Sequence, residues 1–460
     1  MVIAKGVPIW ANRGCVHRPF TPGVIIAAAI FAGISGGGTA LVQIVAAGFV
    51  AYAFVIFTRG FNSAGSVYGF TGAVAGARFG FLSAWTLLLV YASFAGATYA
   101  IAADEAQAAF GGIGLHLAWQ VYAIITFALV MALAYLDITI SATVILVLEG
   151  ASMTLVIIAC SIITAKGGFH GHSFSSAPFR PDGVPLSVLG LGIVFSFTAF
   201  SGFEAAATMG EESRRPQRLI PLAIAMLLAV VAIFEIGVAA MVTNAYPSIA
   251  QLSAATVPLV TVTDKLVAGW LGTVISFGAT VSIFGCALAC VVGASRILFA
   301  LGRDTGPAVL RPTSRRTGAP VGALIWVGAG SLLTLLLFVK EPLATRAYTI
   351  SVSYGADLII VAYSLVVAAA IIFTIRRRMS PIKTVILLVG LAVLGYVVKD
   401  TFVPIPSAPY DWDALAAGIT LVLGIALPFA YRPLRRGIEN SPLLKAGASA
   451  LLGSGPPRGR

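Results

Sequence analysis

Apolar residues in this chain come in long blocks, separated by short polar or basic stretches, and the blocks lack the polar stripe of a helix that faces water on one side. A helix of about 20 apolar residues spans a hydrocarbon core of about 30 Å, so each full block predicts a membrane crossing. Full blocks fall at 39–58, 79–103, 118–136, 139–163, 186–209, 219–243, 269–301, 320–339, 347–375 and 414–431. The block 384–398 is shorter and is expected to extend into its polar flanks. An earlier run, Val24 to Ser35, ends at Gly36-Gly37-Gly38 and measures only about 18 Å as a helix. Counting that run as a crossing, the pattern predicts an all-α integral membrane protein of about 12 transmembrane helices whose first helix is incomplete.

Composition strengthens this picture. Of the 460 residues 59% are hydrophobic and 10% charged, and the mean hydropathy is +0.98. Soluble domains carry about 25% charged residues. The net charge of +12, from 29 Lys and Arg against 17 Asp and Glu, would suggest an acidic partner in a soluble protein. Here it follows from the loops. With the first residues inside and every block crossing, the inner loops hold thirteen basic residues: Arg59, Arg78, Arg214, Arg215, Arg218, Arg303, Arg311, Arg315, Arg316, Arg376, Arg377, Arg378 and Lys383. The outer loops hold six: Lys166, Arg180, Lys265, Lys340, Arg346 and Lys399. Cytoplasmic loops are enriched in Lys and Arg, so both termini are expected to be cytoplasmic, in the cell membrane. No basic patch is interleaved with stacking aromatics, which argues against a nucleic-acid partner.

The chemistry-bearing residues are few. Cys15, Cys160, Cys286 and Cys290 show no metal-ligand or redox spacing. His170-Gly171-His172 offers two ligands without a third, so neither a metal nor another cofactor is expected. No nucleophile, base and oxyanion set suggests a catalytic residue, and an enzyme is not expected.

One block stands apart. Within 186–209, Ser201, Gly202 and Glu204 interrupt an apolar helix and are flanked by Phe197, Phe200 and Phe203. Glycine is a poor helix former, and a carboxylate at this depth costs at least about 2.5 kcal/mol. Two readings stay open. Either the helix breaks near Gly202 and offers bare backbone groups to a cavity, or small residues pack there and Glu204 pairs with a neighbouring helix. Three other acids lie inside blocks: Glu149, Glu235 and Asp357. Glu235 is near the outer end of its helix and is expected to reach the headgroups. Glu149 and Asp357 are candidates beside Glu204 for carrying a coupling proton, because burial favours the neutral form of a carboxyl. The next residues are more ordinary. Glu211 pairs with Arg214 and Arg215 at helical spacing, and Pro216 and Pro221 mark the end of one helix and the start of the next.

The stretch FSFTAFSGFEAAATMGEESRRPQRLIPLAI, residues 195–224, resembles the sixth-helix signature of amino acid permeases of the amino acid-polyamine-organocation (APC) family. FTRGFNSAGSVYGFTGAVAGARFGFLSAW at 57–85 is similar to that family's second-to-third helix loop. VVGASRILFALGRDTG at 291–306 resembles the inner end of its eighth helix. The basic run Arg376-Arg377-Arg378, after a helix containing Tyr363, is similar to the end of its tenth. The resemblance implies two inverted five-helix repeats plus two helices, with helices 1 and 6 discontinuous and substrate between them. It places the unwound segment at Phe200, Ser201, Gly202 and Phe203, where backbone groups would receive the substrate's amino group and Phe197 or Phe200 would shape the pocket. Nothing before Pro22 resembles the family's glycine-rich first-helix break, and Glu149 stands in the fifth span where some members carry a lysine.

The expectation is therefore a permease domain at 22–431, preceded by an atypical segment 1–21 and followed by a basic, disordered cytoplasmic tail at 432–460. The tail could touch anionic membrane lipid. Its expected activity is secondary transport of a small-molecule substrate, an amino acid or related amine, by proton-coupled symport or by exchange. The alternatives are a solute-binding membrane sensor and an inactive remnant with a truncated or damaged first helix.

Overall fold

In the computed structural model the described residues are 38–61, 65–111, 113–136, 140–171, 175, 202–208, 213, 215–248, 251–252, 255, 258–305, 307–403 and 411–452. Among them the chain is helical, without a strand. The helices are α1 Gly38–Thr58, α2 Val67–Ala75, α3 Ala77–Gly111, α4 Trp119–Leu136, α5 Ile140–Ala165, α6 Ala205–Thr208, α7 Pro216–Ala245 and α8 Pro258–Leu266. They continue with α9 Gly269–Thr305, α10 Val321–Leu337, α11 Ala344–Arg376, α12 Pro381–Phe402, α13 Asp411–Ala430, α14 Arg432–Glu439 and α15 Pro442–Leu452. Among the described residues, 8 helices are long and apolar enough to cross a membrane, and α10 is a shorter apolar helix. The predicted first run at 24–35 and most of the block 186–209 lie outside the described residues, as do residues 1–21.

Helix α3 is the axis of the bundle. It packs most extensively on α9 and α11 and also meets α2, α4, α10 and α13. Its small residues make this possible. In a membrane, where lipid is as apolar as leucine, close backbone approach replaces the hydrophobic drive between helices. At Gly96 a Cβ would stand 2.6 Å from Thr334 Cβ and 2.7 Å from the Ser331 carbonyl oxygen. Large aliphatic residues such as Leu129, Ile233, Leu337 and Val422 face outward instead, as lipid-facing positions should. A second, smaller core joins α5, α7, α8 and the start of α9 around Val156, Ile163, Val238 and Ile275.

Three predicted features turn out differently. Residues 432–452, for which Gly, Ser, Pro and basic composition predicts disorder, form α14 and α15. Ile438, Ser441, Leu444 and Leu451 of this segment are buried against the bundle. Hydrophobic anchors spaced among charges are enough to fix it, and Gly72 admits Leu444 where a Cβ would come within 2.6 Å of its Cδ2. Glu235 is 5% exposed, so its side chain is enclosed by the packed helices and does not reach outward. Pro216 opens α7, while Pro221 sits inside its second turn, where it removes one hydrogen bond without ending the helix.

Candidate functional site

The Gly202–Glu204 turn leads into α6. Gly202 has φ +106°, a left-handed conformation that glycine adopts without the steric cost of a side chain. That turn aims two side chains inward. Phe203 is 1% exposed and Glu204 fully buried.

Among the described residues Glu204 accepts three hydrogen bonds, all from neutral donors. Tyr91 Oη on α3 donates to Oε1 at 2.9 Å. Tyr363 Oη on α11 donates to Oε2 at 2.7 Å. The Gly202 amide donates to the same Oε2 at 2.8 Å. The carboxyl group thus pins its own turn in the left-handed conformation and ties that turn to two long helices. Phe203 completes the join. Its ring meets Phe54 of α1 edge-on at 5.7 Å and Tyr363 at 5.7 Å. Tyr91 is seated by Gly293 of α9, where an added Cβ would lie 3.2 Å from the phenol ring.

Of the residues singled out in the sequence, the structure brings Gly202, Phe203 and Glu204 together. Phe197, Phe200 and Ser201 lie outside the described residues. Glu149 is on α5, but its side chain is not among those described. Asp357 is buried on α11 six residues before Tyr363, hence on a different face of that helix. It lies within electrostatic range of Asp413 on α13, and Asp413 accepts a hydrogen bond from Ser353. The Asp357 region is therefore a separate polar contact between α11 and α13, and Asp357 is not among the partners of Glu204. Among the described residues no three His, Cys, Asp or Glu side chains gather to hold a metal.

Tyr91 and Tyr363 are the site residues that the sequence pattern did not single out. The signal available was a phenol in mid-span, a group that needs a hydrogen-bond partner when buried. Glu105, apart from this site, is a further buried acid that the pattern passed over: it is 2% exposed on α3, and among the described residues its Oε2 has no hydrogen-bond partner.

A bundle of apolar helices around a buried carboxyl-bearing turn defines a multi-pass membrane protein of the permease class. The family model for amino acid permeases matches residues 20–425, and the chain belongs to that family. The chain is 29% identical over 279 residues to the branched-chain amino acid permease BcaP of Bacillus subtilis (strain 168), covering 56% of this chain and 57% of that one. It is 24% identical over 434 residues to the mitochondrial cationic amino acid transporter 3 of Arabidopsis thaliana, covering 90% and 64%. It is 27% identical over 314 residues to the methylthioribose transporter of Bacillus subtilis (strain 168), covering 63% and 65%. The matches span between 57% and 65% of the length of these three curated relatives.

Proposed function

We propose that this chain is a secondary transporter for an amino acid or related amine, working by alternating access in the cell membrane with both termini cytoplasmic. The observation that carries the proposal is the Glu204 carboxyl, shared among Tyr91, Tyr363 and the left-handed Gly202 turn. A buried acid whose partners come from two separate helices changes its bonding when either helix moves or when a proton arrives. It is therefore suited to coupling a proton to a conformational cycle. In this reading residues 22–431 form the permease. The helix bearing Phe197 and Phe200 is interrupted at Ser201-Gly202, and substrate meets backbone groups there. Asp357 and Glu149 are secondary candidates for the coupling proton.

The relatives' names guide the substrate panel: branched-chain amino acids, cationic amino acids and methylthioribose. The test is counterflow of labelled members of this panel into liposomes holding the purified chain. Accumulation of at least one amino acid, dependent on unlabelled solute inside, is the expected result. Binding without exchange would instead make the chain a sensor. Neither binding nor exchange would overturn the transport reading.

A further inference from the structure

Helix α14 follows α13 with only Tyr431 between them. Phe429 and Tyr431 at this junction are each 56% exposed, the arrangement of aromatic side chains expected where a span leaves the hydrocarbon. The first turns of α14 therefore stand at the level of the lipid phosphates.

The sequence of α14, RPLRRGIE, divides into two faces at helical spacing. Leu434, Gly437 and Ile438 share one face. Ile438 is fully buried, and a Cβ at Gly437 would lie 2.6 Å from the Cα of Thr305, so the helix is held tightly against α9. Docked this way, it cannot turn its other face inward. That face carries Arg432, Arg435 and Arg436, with Arg432 and Arg436 exposed and Arg435 half-buried. Glu439 shares the face, but its Oε1 is 3.3 Å from Arg78 Nη2. Among the described residues no acidic side chain pairs with any of the three arginines.

We propose that Arg432, Arg435 and Arg436 form a binding site for the phosphate of an anionic phospholipid in the adjoining leaflet. Three guanidinium groups on one helix face, fixed at headgroup height, present forked donors to a phosphodiester. A zwitterionic lipid brings its own ammonium group, which the same arginines repel. The site rests on the reading of α13 as a membrane span and is independent of whether the chain transports anything.

Native mass spectrometry of the full chain tests it, with titration by dioleoyl-phosphatidylglycerol and, separately, dioleoyl-phosphatidylcholine. The wild type is expected to retain the glycerol lipid preferentially. Arg432→Gln, Arg435→Gln and Arg436→Gln combined should lower that retention about tenfold and leave the choline lipid unchanged. Lysines at the same three positions keep the charge without the forked geometry and should fall between. Glutamines at Arg311, Arg315 and Arg316, on the loop after α9, should have no effect. Should the triple variant fail to fold, the exposed single changes Arg432→Gln and Arg436→Gln decide, each expected to lower retention about threefold. The proposal is overturned by unchanged retention in these variants or by an equal loss in the loop variant. Displacement of the glycerol lipid by inorganic phosphate alone would also overturn it, assigning the site to a free anion.

Discussion

Tyr363 donates its phenolic hydrogen to Glu204 across 2.7 Å, joining residues 159 positions apart in sequence. The contact fixes the height of the Gly202 turn against α11, and Tyr91 repeats it from α3 at 2.9 Å. A carboxyl held from two sides reports on both helices at once.

Replacing either tyrosine by phenylalanine keeps the ring and deletes one hydrogen bond. Tyr363→Phe should cost about 1–3 kcal/mol of stability, because a buried acceptor oxygen loses a donor. Tyr91→Phe should cost a similar amount. The two losses should not add, since both act on one carboxyl group. Thermal melting of the purified variants in detergent checks this; additive losses would mean that the two contacts are independent.

Glu204→Gln offers one acceptor oxygen where the structure uses two, so one phenol would face an amide N–H that cannot accept its hydrogen. Uptake should slow, and its dependence on pH should flatten if Glu204 carries the coupling proton. Measuring initial rates across the pH range settles the point. A retained profile, with Asp357→Asn flattening it instead, would move the proton to the α11–α13 contact.

Gly202→Leu should abolish transport while leaving membrane insertion intact. Among the described residues nothing stands within 4 Å of an added Cβ, so no clash with them causes the damage. It comes from φ +106°, which a leucine resists. Liposome uptake and the yield of inserted protein are the two measurements. Uptake at the wild-type rate would sink the broken-helix reading.

Gly96→Ala tests the packing of the bundle axis. Its methyl group would lie 2.6 Å from Thr334 Cβ and 2.7 Å from a backbone oxygen, so α3 and α10 must separate. The expected cost is about 1–3 kcal/mol, read as a lower melting temperature. Gly48→Ala on α1 is the control, since a methyl group there meets nothing within 4 Å among the described residues.

Much of the bundle could be read from the spacing of apolar blocks, because a membrane leaves few alternatives to long apolar helices. Gly202 and Glu204 were visible for the same reason, as polar or helix-breaking residues where lipid tolerates neither. Tyr91 and Tyr363 were not, because a tyrosine in an apolar block equally suits a core or a headgroup belt. Only tertiary contact across 113 and 159 positions shows their common partner. Glu105 was missed because α3 continues to Gly111, where Phe110 stacks on Tyr122 of α4 and covers a turn that composition assigns to water. The segment 432–452 was misread because Ile438, Leu444 and Leu451 are scattered among Gly, Ser and charges. Their hydrophobic partners lie elsewhere in the chain.

Asp304 at the end of α9 accepts hydrogen bonds from Tyr68 of α2, at 2.9 Å, and from Ser441. Ser441 also accepts the Leu444 amide at 3.1 Å and so caps α15. During synthesis, then, α2 emerges and inserts long before the side chains that will cover it exist. Phe61, Gly72 and Ala73 wait uncovered while the intervening helices are threaded into the bilayer. The closing of α15 over them is a late step of biogenesis. A protease site or fusion placed between Tyr431 and Ser441 should therefore yield protein that is inserted but unfinished, with α2 open to digestion.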